Sequence, residues 1–339
     1  MDFLSLKPST AFWGERNIID RPPRIIEVEG AVFDPHPDSE IHAAIYRPDR
    51  HLVLESAHTR GPGTLLTPER VKPRKGTATK ADALTYIYPG YVNKHYGHFL
   101  LSTFSRLWSQ NLIDTGLPII WHADMTIDLA FRLPWFRDIM GALRIDRKRF
   151  VAFPKPTKLG KVIIPCPAFI EQKVCFLEYA ALGKRIGDAL CGSVIRRSKP
   201  VYLSKAKVNG GVRTISNEVA LETALTRRGF DIVHPEQMSM GQQIALWRSG
   251  VPIVSFTGSA LHTALFSPGA DVLHVDYDQF TNTSFWLINA ANGTRADYVH
   301  FTDGSVPRIG ENERWSCIHE LKNPERTADV IAARVNARP

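Results

Sequence analysis

Residues 251–275 read VPIVSFTGSALHTALFSPGADVLHV. Val251–Ser255 is an apolar run of strand length and Gly258 follows it. Ser259–Phe266 then reads as a helix, and Pro268-Gly269 turns the chain into a second apolar run, Asp271–Val275. Strand, glycine turn, helix and strand is the unit from which parallel sheets covered by helices are built. The rhythm continues upstream with a strand at Val201–Leu203, a helix at Asn217–Arg228, a strand at Asp231–Val233 and a helix at Met240–Trp247. This alternation predicts a doubly wound sheet.

A similar alternation begins at Leu84. Leu84–Val92 reads as a strand with a Pro-Gly turn, and Leu100, Phe104, Leu107 and Trp108 give His95–Asn111 a helical core stripe. Leu117–Trp121 and Lys161–Pro165 read as strands, Ile127–Leu143 as a helix interrupted by Pro134, and Phe176–Leu190 as a helix. The Pro-rich first 80 residues hold the strand-like pieces Arg24–Glu29, Ile41–Tyr46 and His51–Glu55, and Gly61–Lys80 reads as a basic surface loop. The expected divisions are a β-rich N-terminal subdomain over 1–83, a Rossmann-like domain over 84–190 and a second Rossmann-like domain over 191–322. Residues 323–339 are expected to form a terminal helix, with Pro324 near its start, that returns to the N-terminal domain.

The 339 residues are 44% hydrophobic and 22% charged, which excludes a largely disordered chain and suits two α/β domains. The longest apolar runs are strand-sized, far short of the about 18 residues a membrane span needs. The opening MDFLSLKPSTAFWGER has neither a basic start nor a continuous apolar segment, so the expected location is the cytoplasm. Cys166, Cys175, Cys191 and Cys317 lack metal or disulfide spacing. A net charge of +8 favours an anionic partner, but the basic residues are dispersed and the aromatic motifs of RNA-binding sheets are missing, so nucleic acid is not expected.

Two blocks carry a family resemblance. Asn93-Lys94-His95-Tyr96-Gly97-His98-Phe99-Leu100-Leu101, followed by Arg106-Leu107, forms the first. Tyr202-Leu203-Ser204-Lys205, Arg213, Asn217-Glu218, Gln243-Ile244-Ala245-Leu246 and the run from Gly258 through Pro268-Gly269 form the second. In order and spacing they resemble glycosyltransferase family 61. Lys205 stands where the family commonly has Arg, Thr257 where it has His, Ser255 where it has Gly and Thr263 where it has Asn. Ser102 and Ser105 replace Asp and Pro. The resemblance implies an α/β fold of two Rossmann-like domains facing a cleft (GT-B type). It also implies a hexosyl- or pentosyltransferase of surface polysaccharide (capsule) assembly, with a nucleotide-sugar donor, expected to be a UDP-sugar, and a glycan or lipid-linked glycan acceptor.

The residues fit that chemistry. A diphosphate leaving group needs fixed positive charge and N–H donors when no metal supplies them. The N–H groups of Ser259 and Ala260 beside Gly258 offer an anion site, and Lys205 and Arg213 at the C-terminal edge of the sheet offer charge. Each also fits a blander role, as a βα turn or solvated surface cations. Asn217 and Glu218 fit a donor contact or helix capping, His262 a donor contact or packing against the sheet, and Asp276 a nucleotide contact or a strand-terminating turn. His98 is the candidate general base for the acceptor hydroxyl, in a polar stripe with Ser102 and Ser105, and it equally fits a helix-start residue that orients its neighbours. His95, Ser102 and Arg106 are placed on the acceptor side. His95 and His98 lack further ligands for a metal, so no cofactor and metal independence are expected. Two other classes fit the same features: a transferase using a non-sugar donor such as phosphoenolpyruvate, and a non-catalytic glycan- or nucleotide-binding subunit. The basic Gly61–Lys80 loop suggests contact with an anionic membrane, on the inner face.

Overall fold

The computed structural model describes residues 5–35, 43–61, 64–65, 79–80, 84–194, 196–208, 211–302, 306–313 and 316–338. Most of Gly61–Lys80, including the basic cluster, lies outside them. The chain forms two compact units, one of residues 1–13 with 191–339, the other of residues 14–190.

The first unit is built on a six-stranded sheet in the order Leu6–Pro8, Arg295–Phe301, Asp271–Asp276, Ile253–Phe256, Val201–Leu203, Asp231–Val233. All neighbours are parallel except the Leu6–Pro8 edge. Numbered along the sequence, the five parallel strands lie 2-1-3-4-5, a doubly wound order whose direction reverses between Val201–Leu203 and Ile253–Phe256. Such a sheet is covered on both faces, which explains why its central strands are largely apolar. Tyr202, Val254, Phe256, Leu273 and Val275 pack on one side with Leu221, Leu225, Ile331 and Val335, while Val201, Leu203, Ile253 and Val272 pack on the other with Leu246, Trp247 and Leu261.

Local chemistry sets the helix limits. Ser239 accepts from the Gln242 N–H while the Gln242 side chain accepts from the Ser239 N–H, a reciprocal cap that starts Met240–Trp247. The terminal helix, Pro324–Asn336, begins with proline at a position where no N–H is needed and is capped by Asn323. Expected to return to the N-terminal domain, it lies against the Glu218–Arg227 helix, where Arg228 bonds Glu325 and Asp329. Residues expected in the N-terminal subdomain also belong here: Ala11–Trp13 pairs with Phe280–Asn282, as Leu6–Pro8 does with Arg295–Phe301.

The second unit has a five-stranded sheet in the order Phe150–Val151, Ile119–Ile120, Thr85–Ile87, Lys161–Pro165, Ile25–Glu29, parallel except for the last strand. Its parallel strands lie 3-2-1-4 along the sequence, with the reversal between Thr85–Ile87 and Lys161–Pro165. The single helix expected over His95–Asn111 is broken into Tyr96–Leu101, a 3-10 turn at Phe104–Arg106 and Gln110–Asp114. The serines at the break bond main-chain oxygen atoms: Ser102 Oγ donates to the His98 carbonyl (2.6 Å) and Ser105 Oγ to the Ser102 carbonyl (2.5 Å). Such bonds compete with the helical ladder. Pro134 interrupts the next helix by starting a new one, Pro134–Ala142. Among the described residues no helix is long and apolar enough to cross a membrane.

Candidate functional site

Ligands of open α/β sheets collect at the C-terminal ends of the strands where the order reverses. In the first unit, Lys205 and Gly258 follow the two strands that flank this point. Lys205 is at its centre. Its Nζ donates to the Thr257 carbonyl (3.0 Å), the Arg213 carbonyl (3.1 Å) and the Tyr277 hydroxyl, so all three ammonium protons are engaged by protein. Burial pushes the ammonium down to about 8, against the pull of Glu218 and with a further push from Arg213.

Glu218 lies beneath, buried at the start of its helix. Its Oε1 accepts from the Tyr202 hydroxyl (2.7 Å) and the Lys205 N–H (3.1 Å), while Oε2 has no hydrogen-bond partner among the described residues. Tyr277 is held between Lys205 and His319, stacking on the imidazole at 4.2 Å, and burial raises its phenol above the ordinary range. Burial lowers the pKa of His319, whose Nδ1 lies 3.1 Å from the Val306 carbonyl.

Above this buried layer sits an open cationic edge. The exposed Arg213 guanidinium lies over the Tyr277 ring, 5.7 Å from its centroid, and forms no ion pair with a carboxylate among the described residues. Gly258 is extended, with φ of 178°, and leads into the 3-10 helix Ser259–Phe266. The first bond of that helix runs from the Leu261 N–H to the Gly258 carbonyl, which leaves the half-buried Ser259 and Ala260 N–H groups without an intrahelical partner. A side chain at 258 would place its Cβ 3.3 Å from Lys205 Cδ, so glycine here leaves room for the buried lysine. The structure thus brings together Lys205, Arg213, Gly258, Ser259 and Ala260.

The remaining candidates on this side point into packing. The Asn217 amide exchanges two hydrogen bonds with the Leu321 backbone, 2.8 and 3.0 Å, and makes no side-chain cap. His262 is buried and stacked on Phe285 at 4.5 Å with the rings nearly parallel. Asp276 is buried and accepts from Thr257 (2.8 Å) and Thr281, with His274 Nε2 3.2 Å away. Burial opposes its ionisation, but His274 and the two hydroxyls outweigh burial and hold the carboxyl below its usual range. Thr257 bridges this network, its hydroxyl 2.7 Å from His274 Nε2.

In the second unit a pocket opens at the equivalent reversal point, and His98, Ser102 and Arg106 line it. His98 is half-buried with its ring 4.8 Å from that of His95, which is exposed and outside the lining. Ser105 is fully buried, so the expected polar stripe ends at Ser102. Arg106 is buried, and its guanidinium reaches the carbonyls of Glu55, Pro165 and Ala57 at 2.7, 2.9 and 3.3 Å. Ser56, His58, Thr59, Tyr91 and Glu171 complete the polar lining. Sequence reading missed them, as it missed Tyr277. His58 carries no local signal, whereas Tyr277 directly follows the strand Asp271–Asp276 and Tyr91 the Pro-Gly turn. No group of three or more His, Cys, Asp or Glu is placed to hold a metal ion among the described residues.

The sequence pattern of the family described as Glycosyltransferase 61 matches residues 96–273, more than half of the chain. The chain belongs to glycosyltransferase family 61. No curated protein matches this family 61 member. The matched stretch takes in His98 and Arg106 from one unit and Lys205, Arg213 and Gly258 from the other. As a glycosyltransferase it binds a sugar donor and an acceptor.

Proposed function

We propose that this family 61 glycosyltransferase is an inverting, metal-independent enzyme that transfers a sugar from a nucleotide-sugar, a uridine diphosphate sugar, to a glycan hydroxyl. The observation that carries this reading is the cationic edge of the doubly wound sheet, where Arg213 has no carboxylate partner among the described residues and Lys205 ties the Arg213 and Thr257 carbonyls together, just ahead of Gly258 and the open Ser259 and Ala260 N–H groups. Preorganised donors of this kind stabilise the charge that develops on a departing diphosphate. In this reading the units are the donor and acceptor halves of a GT-B-type transferase, and the role in surface polysaccharide assembly rests on the family resemblance.

The reaction is a single displacement. His98 takes the proton from the acceptor hydroxyl, the oxygen attacks the anomeric carbon, and the bond to the diphosphate breaks on the opposite face, with the electron pair leaving on the nucleotide. General base help of this kind contributes about 10²–10⁴ in rate. Lys205 holds the Arg213 strand to Thr257 and contributes charge behind the donor groups rather than a free proton.

Nucleotide binding to the folded state raises the melting temperature, which gives the test. Uridine diphosphate is expected to stabilise the protein in the presence of a chelator, with the shift lost in Arg213→Ala. His98→Ala is expected to keep the shift and lose transfer. A shift that requires a divalent cation, or none with any nucleotide, would sink the proposal.

A further inference from the structure

We infer that the pocket of the second unit is a subsite for an anionic group, a carboxylate or phosphate carried by the acceptor sugar, seated against the free edge of Arg106. This deepens the transferase reading and rests on it. A guanidinium has five N–H donors. Both Nη1 protons of Arg106 go to the carbonyls of Glu55 and Pro165, and one Nη2 proton goes to that of Ala57. The Nε–H and the second Nη2–H have no protein partner among the described residues, although the residue is only 7% exposed.

Three further features make this a built site. Gly90, with φ of +94°, lies directly over the side chain, and a Cβ there would stand 3.3 Å from Arg106 Nε. Glycine therefore keeps uncovered the atom that an anion would reach, in a conformation other residues adopt only with strain. The guanidinium also forms no ion pair among the described residues: its bonded partners are neutral carbonyls, and Glu55, whose charge favours it, has its carboxylate paired with Arg24 at 3.3 Å. A buried cation without an ionic partner is costly, and a bidentate carboxylate or phosphate offsets that cost. Lastly, Glu171, the one carboxylate of the lining among the described residues, is engaged elsewhere, accepting from the Gly61 N–H at 3.1 Å. His98 shares the lining, so an acid group held on Arg106 would fix a neighbouring sugar hydroxyl near the base.

The test uses the full chain and three probes: methyl glucuronoside, methyl glucoside and glucose 6-phosphate, followed by ligand-observed NMR titration. The glucuronoside is expected to bind about tenfold or more tighter than the neutral glucoside, with a preference that weakens as salt rises. Tighter binding of the phosphate than of the glucuronoside supports the subsite and assigns phosphate as its anion. Equal binding of all three overturns it. Arg106→Met removes three structural bonds and risks misfolding, so Gly90→Ala, which keeps the charge and covers Nε, is the second variant. An acid preference undiminished in folded Gly90→Ala also overturns the assignment. Stabilisation by uridine diphosphate, measured in the same samples, separates the two readings. Its retention without an acid preference ends this inference alone, and its loss with the preference intact ends the donor assignment alone.

Discussion

Lys205→Met tests the electrostatics of the donor edge through stability. Burial lowers the Lys205 ammonium from 10.5 to about 8, so between these values the unfolded chain holds a proton that the folded chain has released. Stability therefore rises with pH across that window. The full span corresponds to about 3 kcal/mol, of which about 2 kcal/mol is gained between pH 7 and about pH 9.5. At neutral pH the methionine variant loses three hydrogen bonds of about 1 kcal/mol each but also loses the cost of the buried charge, so the two proteins are expected to unfold at similar urea concentrations. At about pH 9.5 the variant is expected to be about 2 kcal/mol less stable than the wild type. Buried phenols and the Cys175 thiol, pushed up to about 12, also titrate in alkali, but they do so in both proteins and cancel in the comparison. Urea unfolding at a series of pH values reads the difference directly. A gap that stays constant from pH 7 to about pH 9.5 would refute the reasoning, since it would mean that Lys205 keeps its proton throughout.

The other expectations concern single contacts. Nucleotide diphosphate bound beside Lys205 raises its proton affinity, so calorimetry near pH 8 in buffers of differing ionisation heat should show proton uptake that Lys205→Met lacks. Gly258→Val needs no unusual backbone angle, yet its Cβ meets Lys205 just before the open N–H groups; nucleotide affinity should fall about tenfold or more with little change in melting temperature. Asp276→Ala strips a buried network and should cost about 3 kcal/mol. Because the Asp276 carboxyl is held below its unfolded value, its contribution is present above about pH 4 and lost as the pH falls through the folded value, so the wild-type and variant unfolding curves should converge in acid.

The strands around the donor edge were legible because buried parallel strands are apolar on both faces: Val201–Leu203, Asp231–Val233 and Asp271–Asp276 all lie within a residue of their expected limits. Arg295–Phe301 was missed because its polar residues hide the pattern of a strand whose neighbours are fixed only in three dimensions. The break after Leu101 was hidden for a related reason, since a helical stripe survives in Leu100, Phe104 and Leu107 although the serine hydroxyls interrupt the ladder. Site residues divide in the same way. Lys205 and Gly258 could be placed because they end strands, but the acceptors that engage Lys205, the carbonyls of Arg213 and Thr257 and the hydroxyl of Tyr277, come from three separate segments that only the folded sheet brings together. His58 and Glu171 reach the pocket from loops with no pattern to read.

The edge pairing of Leu6–Pro8 with Arg295–Phe301 sets an order of events during synthesis. The unit of residues 14–190 is continuous in sequence, so all of it has left the ribosome while the sheet that holds Lys205 still lacks most of its strands. The Leu6–Pro8 arm, made before the rest of its sheet, must wait for Arg295–Phe301 to be made before it finds its place. Until then it is an unpaired strand, and once Arg295–Phe301 emerges that strand too presents an open edge. The unit of residues 1–13 and 191–339 is therefore the late and vulnerable half of biogenesis, in which a change to the Leu6–Pro8 arm acts first on folding yield and only secondarily on chemistry.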